Sequence, residues 1–137
     1  MQAWTEARAT VVAVHALLDH PPLAKRFALQ NQLSRAALSA MNNIAEGFAR
    51  GSDPQFCHFL DIARGSAAEV ESMLYVIEDL APELAPDLIE IRGRIDLMIT
   101  LISKLTKYLR GSKVREAEES YDSNPTSRLP DFRTSGL

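Results

Sequence analysis

The 137-residue chain is poor in the residues that carry most site chemistry. It has a single cysteine, Cys57, so no internal disulfide can form and nothing points to an oxidising compartment. Its three histidines, His15, His20 and His58, follow no metal-ligand spacing. Cys57 and His58 are neighbours, but neighbours on a helix diverge by about 100°, so they converge neither on an ion nor as a nucleophile–base pair. Gly47, Gly51 and Gly65 are scattered through helical pattern and follow no strand, which excludes a phosphate-cradling loop. An excess of one charge is lacking too: 15 Lys+Arg stand against 18 Asp+Glu, a net charge of −3. That balance argues against a general polyanion binder and against attraction to anionic membranes. No apolar run approaches the roughly 18–20 residues of a membrane span; the nearest is Leu97–Ile102. The stretch Val11–Leu18 after Arg8 faintly resembles the apolar part of a signal peptide, but His15 interrupts it and Glu6 sits where basic residues belong. These absences predict a cytoplasmic protein that is not an enzyme, with no cofactor, metal, membrane partner or small-molecule substrate.

What is present is helical period. Leu84, Leu88, Ile91, Ile95, Met98, Ile102, Leu105 and Leu109 are spaced alternately four and three apart, the seam of a helix lying nearly parallel to its neighbours. Phe56, Leu60, Ala63, Ala67, Val70, Leu74 and Ile77 keep the same rhythm, as do Leu33, Ala37, Ala40, Ile44 and Phe48, with a shorter series at Trp4, Val11 and Leu18. No period-two alternation is sustained, so strands are not expected. Punctuation agrees. Pro21-Pro22 stops a first helix, Gly51 ends a second, and Asp53 caps a third with Pro54 at its first position. Pro82 and Pro86 separate the third from a fourth, which Gly111 ends. The predicted spans are about 3–19, 23–50, 54–80 and 86–110. Connections this short force antiparallel neighbours and an all-α, up-down four-helix bundle over residues 1–111. Ser112–Leu137 is polar, carries Pro125 and Pro130 and has no stripe to bury, which predicts a disordered tail. Neither part is basic: 11 Lys+Arg face 13 Asp+Glu in the first 110 residues, and 4 face 5 beyond.

One constellation stands apart. On the second helix Arg35, Ser39, Asn42, Asn43, Glu46 and Arg50 fall within a roughly 100° arc opposite the apolar stripe. A solvated face with an i,i+4 Glu46–Arg50 pair is one reading. However, the arc has no lysine, includes two asparagines and lies beside Gly47, all poor choices for a merely solvated helix. Compact hydrogen-bonding side chains suit a close protein–protein contact. The third helix also carries Phe59, Ile62, Met73, Val76 and Leu80 beside its stripe, and the fourth carries Leu97, Ile99, Leu101 and Tyr108. That excess leans toward self-association.

The motifs Gln32-Leu33-x-Arg35-Ala36-Ala37, Asn43-Ile44-Ala45-Glu46-Gly47-Phe48, Arg50-Gly51, Phe59-Leu60 and Ala63-x-Gly65-Ser66 followed by Glu69 carry a resemblance. Over roughly the first 110 residues the chain resembles the 23S ribosomal RNA intervening-sequence proteins, small bacterial four-helix bundles. The resemblance implies ring-like pentamers and no enzymatic activity. A related protein is the accessory protein of diversity-generating retroelements, which partners a reverse transcriptase and has a basic, nucleic-acid-binding surface. Two departures are visible. The family usually has proline where Met41 stands, which predicts a straighter second helix, and this chain is slightly acidic. The leading expectation is therefore a homo-oligomeric binding or scaffold module, five-membered as the resemblance implies. Its contact face would be the polar arc, with Glu69 on the third helix as an additional charge partner. The alternative is an RNA- or DNA-associated accessory protein, which requires a continuous basic stripe.

Overall fold

The computed structural model describes the backbone of residues 1–119 and the side chains of residues 1–111. Four helices follow one another: α1 (Gln2–Leu18), α2 (Phe27–Ala49), α3 (Asp53–Leu80) and α4 (Ala85–Glu119). They form the expected up-down bundle, with no strand among the described residues. The extensive packing runs α1 to α2, α2 to α3, α3 to α4 and α4 back to α1, so each helix has two neighbours and the four form a square. Cross-links between helices show the antiparallel register. His15 Nε2 lies 3.1 Å from Ser34 Oγ, Ser39 Oγ lies 2.8 Å from Ser66 Oγ, and Arg94 Nη1 donates to Glu6 Oε1 at 3.1 Å.

The seams of α3 and α4 are buried residue for residue, from Phe56 to Ile77 and from Leu84 to Leu109. On α2, Leu33, Ala37, Ala40 and Ile44 are buried, while Phe48 is half-buried and meets Phe56 edge-on. Of the expected stripe on the first helix only Leu18 is buried. The core face is Ala3, Ala7, Thr10, Val14, Leu17 and Leu18, and Trp4 and Val11 lie half-buried on the flank. Alanine and threonine let α1 sit close to the core, and the Thr10 hydroxyl is satisfied by donating to Glu6 O four residues back, at 2.9 Å. The larger Trp4 and Val11 fill its shoulder.

Helix ends depart from expectation in three places. Pro21–Leu23 forms a single 3-10 turn, so α2 starts at Phe27 and not near residue 23. Ser52, not Asp53, caps α3: its hydroxyl accepts from Gln55 N at 3.4 Å, and Asp53 opens the first turn, where a carboxylate suits the positive end of the helix. Gly51, at φ +82°, supplies the left-handed residue that closes α2. Gly111 does not end α4, which continues to Glu119. A helical glycine costs only ~1 kcal/mol relative to alanine, too little to stop a helix that has no proline behind it. The helix therefore enters the segment expected to be a disordered tail; the remainder of that expectation, residues 120–137, lies outside the described residues.

At the α3–α4 joint, Arg92 donates to Glu78 Oε2 at 2.9 Å and lies over the Tyr75 ring at 4.7 Å. The hydrogen bond to Glu78 raises the guanidinium above its ordinary value, with the Glu78 charge adding to it against the cost of desolvation, so this tie stays ionised at any physiological pH. Cys57 is buried at the same joint with its sulfur 4.0 Å from Thr106 O, a small filler near the core edge, and His58 points outward.

Candidate assembly interface

The polar arc of α2 does not form one face. Its members divide among three settings according to where each falls relative to α3. Ser39 and Asn43 are half-buried and turned toward α3, contrary to the expectation that the whole arc points away from the core. Asn43 Nδ2 donates to Ser39 O at 2.8 Å and to Ser39 Oγ at 3.0 Å. With one lone pair of that hydroxyl occupied, its hydrogen is free to run to Ser66 Oγ on α3. One turn further on, Gly47 is buried where the two helices come closest. A Cβ added there would lie 2.8 Å from Phe59 Cβ and 3.3 Å from Phe56 O. The glycine and the small hydroxyls thus serve a close contact, but within the chain: they let α2 and α3 meet backbone to backbone.

Glu46 and Arg50 occupy the outer edge of that joint. Arg50 Nη2 donates to Glu46 Oε1 at 2.7 Å and Nε donates at 3.2 Å, with both side chains about half exposed. The Arg50 guanidinium also lies 5.0 Å over the Phe59 ring of α3, which fixes its plane. The i,i+4 spacing predicted the pair; only the fold shows the aromatic platform beneath it.

Arg35 and Asn42 are exposed. Arg35 Nη2 donates to Gln32 Oε1 at 2.6 Å, and the two residues line a shallow depression of about 410 Å³ with Asn31, Ser34, Leu38 and Ser39. Glu69 is exposed on α3 and has no hydrogen bond or ion pair among the described residues. The Ser39–Ser66 register sets it level with Ala36, ten residues or ~15 Å of helix away from Glu46, so it does not join the Glu46–Arg50 pair within one chain.

Beside the arc lies a second apolar seam on α3. Phe59, Ile62, Met73, Val76 and Leu80 fall three and four apart once Ser66 and Glu69 fill the gap, parallel to the buried seam and rotated away from it. Ile62, Val76 and Leu80 remain 40%, 47% and 42% exposed. The flank of α3 that faces outward along α2 therefore combines open aliphatic surface with Glu69, Glu46 and Arg50.

A family model described as 23S rRNA-intervening sequence protein matches residues 1–104. The chain belongs to that family. The matched region holds α1, α2, α3, the arc, the open seam and α4 as far as Lys104. Comparison with individual curated proteins gives no match.

The end of α4 beyond the family match holds a feature that whole-region charge counts concealed. From Leu97 to Arg115 there is no acidic residue, and this stretch contains Lys104, Lys107, Arg110, Lys113 and Arg115. Five of the chain's 15 cations thus lie on a few turns of one helix. Lys104, Lys107 and Arg110 are exposed, with Arg110 reaching Asp61 of α3 at 3.4 Å. Among the described residues, no helix is long and apolar enough to cross a membrane, and no group of three or more His, Cys, Asp or Glu is placed to hold a metal ion.

Proposed function

We propose that this intervening-sequence family member is a non-enzymatic module that assembles with copies of itself and binds or scaffolds through the assembly. The observation that carries the reading is the open seam of α3. Single exposed apolar residues occur on other faces too, such as Phe27 and Ile89, but Ile62, Val76 and Leu80 lie along one line of one helix. These aliphatic side chains lie beside a prefixed Glu46–Arg50 pair and a partnerless Glu69, the mixture of apolar centre and charged rim found at protein interfaces. A closed ring, with five copies expected from the family resemblance, is the form of assembly proposed.

Light scattering at tens of micromolar tests it. The expected mass is a multiple of the 15.2 kDa chain. Glu46→Ala and Arg50→Ala should each move the protein toward monomer with helicity intact, because a charge left without its partner in a covered interface costs several kcal/mol while an open pair contributes ~0–1. A monomeric parent, or unchanged mass in both variants, overturns the assignment of the arc.

A second reading has its own observation. The acid-free, cation-rich end of α4, with Lys104, Lys107 and Arg110 exposed, supports it, and the family's printed name ties it to 23S rRNA. Contact with an RNA backbone would run through Lys104, Lys107 and Arg110. The net charge of −3 favours weak generic binding at physiological salt. Submicromolar affinity with a steep salt slope, lost in Lys104→Glu/Lys107→Glu, would promote this reading over the first.

A further inference from the structure

On the side of the bundle opposite the open seam, a groove of about 490 Å³ runs along the outer edge of the α1–α4 joint. Its floor is Ala9, Ala13, Ala16 and Ile91, and Val12 stands on its lip, 65% exposed. Charged groups line its rim: Arg94 bridges Glu6 of α1 and Glu90 of its own helix, and His20 faces Asp87 at 3.6 Å. The short alanine side chains of α1 leave the floor between them open. Among the groove's charges, Arg8 alone has no carboxylate partner in the described residues; its guanidinium rests over the Trp4 ring at 5.7 Å.

We infer that this groove receives the open seam of α3 from a second copy of the chain. The two surfaces match in apolar character and at one pair of opposite charges. The seam runs ~27 Å from Ile62 to Leu80, the length of 18 helical residues, with Met73, Val76 and Leu80 grouped at one end, Ile62 at the other and Ser66 and Glu69 between. The groove is an apolar trough between two helices, into which a third helix can set such a ridge. Six of the seven charged residues of α3 are acidic, and Glu69 lies within the ridge without a partner. The free cation of the groove, Arg8, is the group it would meet. Met73 follows Glu69 by one turn as Val12 follows Arg8, so a parallel setting that pairs the charges also stacks the two aliphatic side chains.

Because ridge and groove occupy opposite sides of the square, the contact is head-to-tail. Every copy offers one of each, and repetition closes into a ring or extends as a filament. This rests on the self-assembly proposed above and adds to it which face meets which.

Two variants at exposed positions separate the cases. Val76→Glu spoils the ridge and leaves the groove; Val12→Glu spoils the groove and leaves the ridge. Circular dichroism checks that each is folded, with Ala16→Arg as a second groove variant. Each alone should be monomeric at concentrations where the parent assembles. Mixed one to one, they should form a species of twice the 15.2 kDa chain mass and nothing larger, since the pair can make one sound junction only. If the groove variants keep the parent mass while Val76→Glu dissociates, the seam meets another seam and the inference falls, while self-assembly stands. If the parent itself is monomeric, both fall together. Two monomeric variants that fail to combine when mixed also overturn the head-to-tail contact.

Discussion

The α2–α3 joint and the α1–α4 joint both rely on small residues, yet one brings two backbones together and the other carries an open trough along its outer edge. At α2–α3, Ser39 meets Ser66, Gly47 meets Phe56 and Phe59, and the two hydroxyls and the Asn43 amide nitrogen bond inside the joint. At α1–α4, alanines of α1 face Asp87, Glu90 and Arg94 of α4, whose charged ends bond at the rim. Small side chains permit close approach. Whether the approach happens depends on what the facing helix must keep in water.

The contrast can be broken or sharpened by substitution. The largest effect is expected where both joints share a core: Ile95, fully buried on α4, changed to aspartate should leave the chain unfolded or a loose helical collapse, a loss of more than ~4 kcal/mol for an unpaired buried charge, read by denaturant melts. Tolerance of that change would mean the α4 seam is misplaced. Gly47→Ala should cost ~1–2 kcal/mol: the gain in helix propensity is smaller than the strain of a Cβ pressed against Phe59 Cβ and Phe56 O, neither of which can swing aside. Were it neutral or stabilising, the joint would have slack that the distances deny. Ala16→Leu in the trough should change monomer stability by no more than ~0.5 kcal/mol, since the added atoms enter open space at an exposed position. A loss as large as that of Gly47→Ala would abolish the distinction between the joints.

The sequence showed most of what depends on period. The alternating three-and-four spacing of α3 and α4 placed every seam residue, because bulky aliphatic side chains mark a buried face unambiguously. On α1 it placed Leu18 but not Trp4 and Val11, because Ala3, Ala7 and Thr10 share the buried face with Val14 and Leu17 while those two larger residues lie on the flank. It failed at Gly111 because a glycine signal is weak without a following proline. Within the candidate interface, Glu46–Arg50 follows from spacing alone, whereas the inward turn of Ser39 and Asn43 depends on Ser66, 27 residues away, and on where α3 lies. The groove has no sequence signal, being set by the distance between two helices. The basic end of α4 was legible in the residues and was lost only by averaging charge over too long a stretch.

The tight α2–α3 pairing also has a consequence in time. Only Arg50, Gly51 and Ser52 separate the two helices, so the chain can close this hairpin with little loss of loop entropy and meet an extensive set of contacts at once. The other two junctions, at residues 19–26 and 81–84, each include a short 3-10 turn and join helices with less mutual contact. The hairpin is therefore the expected folding nucleus, with α1 and α4 docking later in a transition that low contact order makes fast. Stopped-flow refolding should show Gly47→Ala slowing the folding limb, while destabilising changes confined to α1, such as Val14→Ala, accelerate unfolding and leave the folding rate nearly as it was.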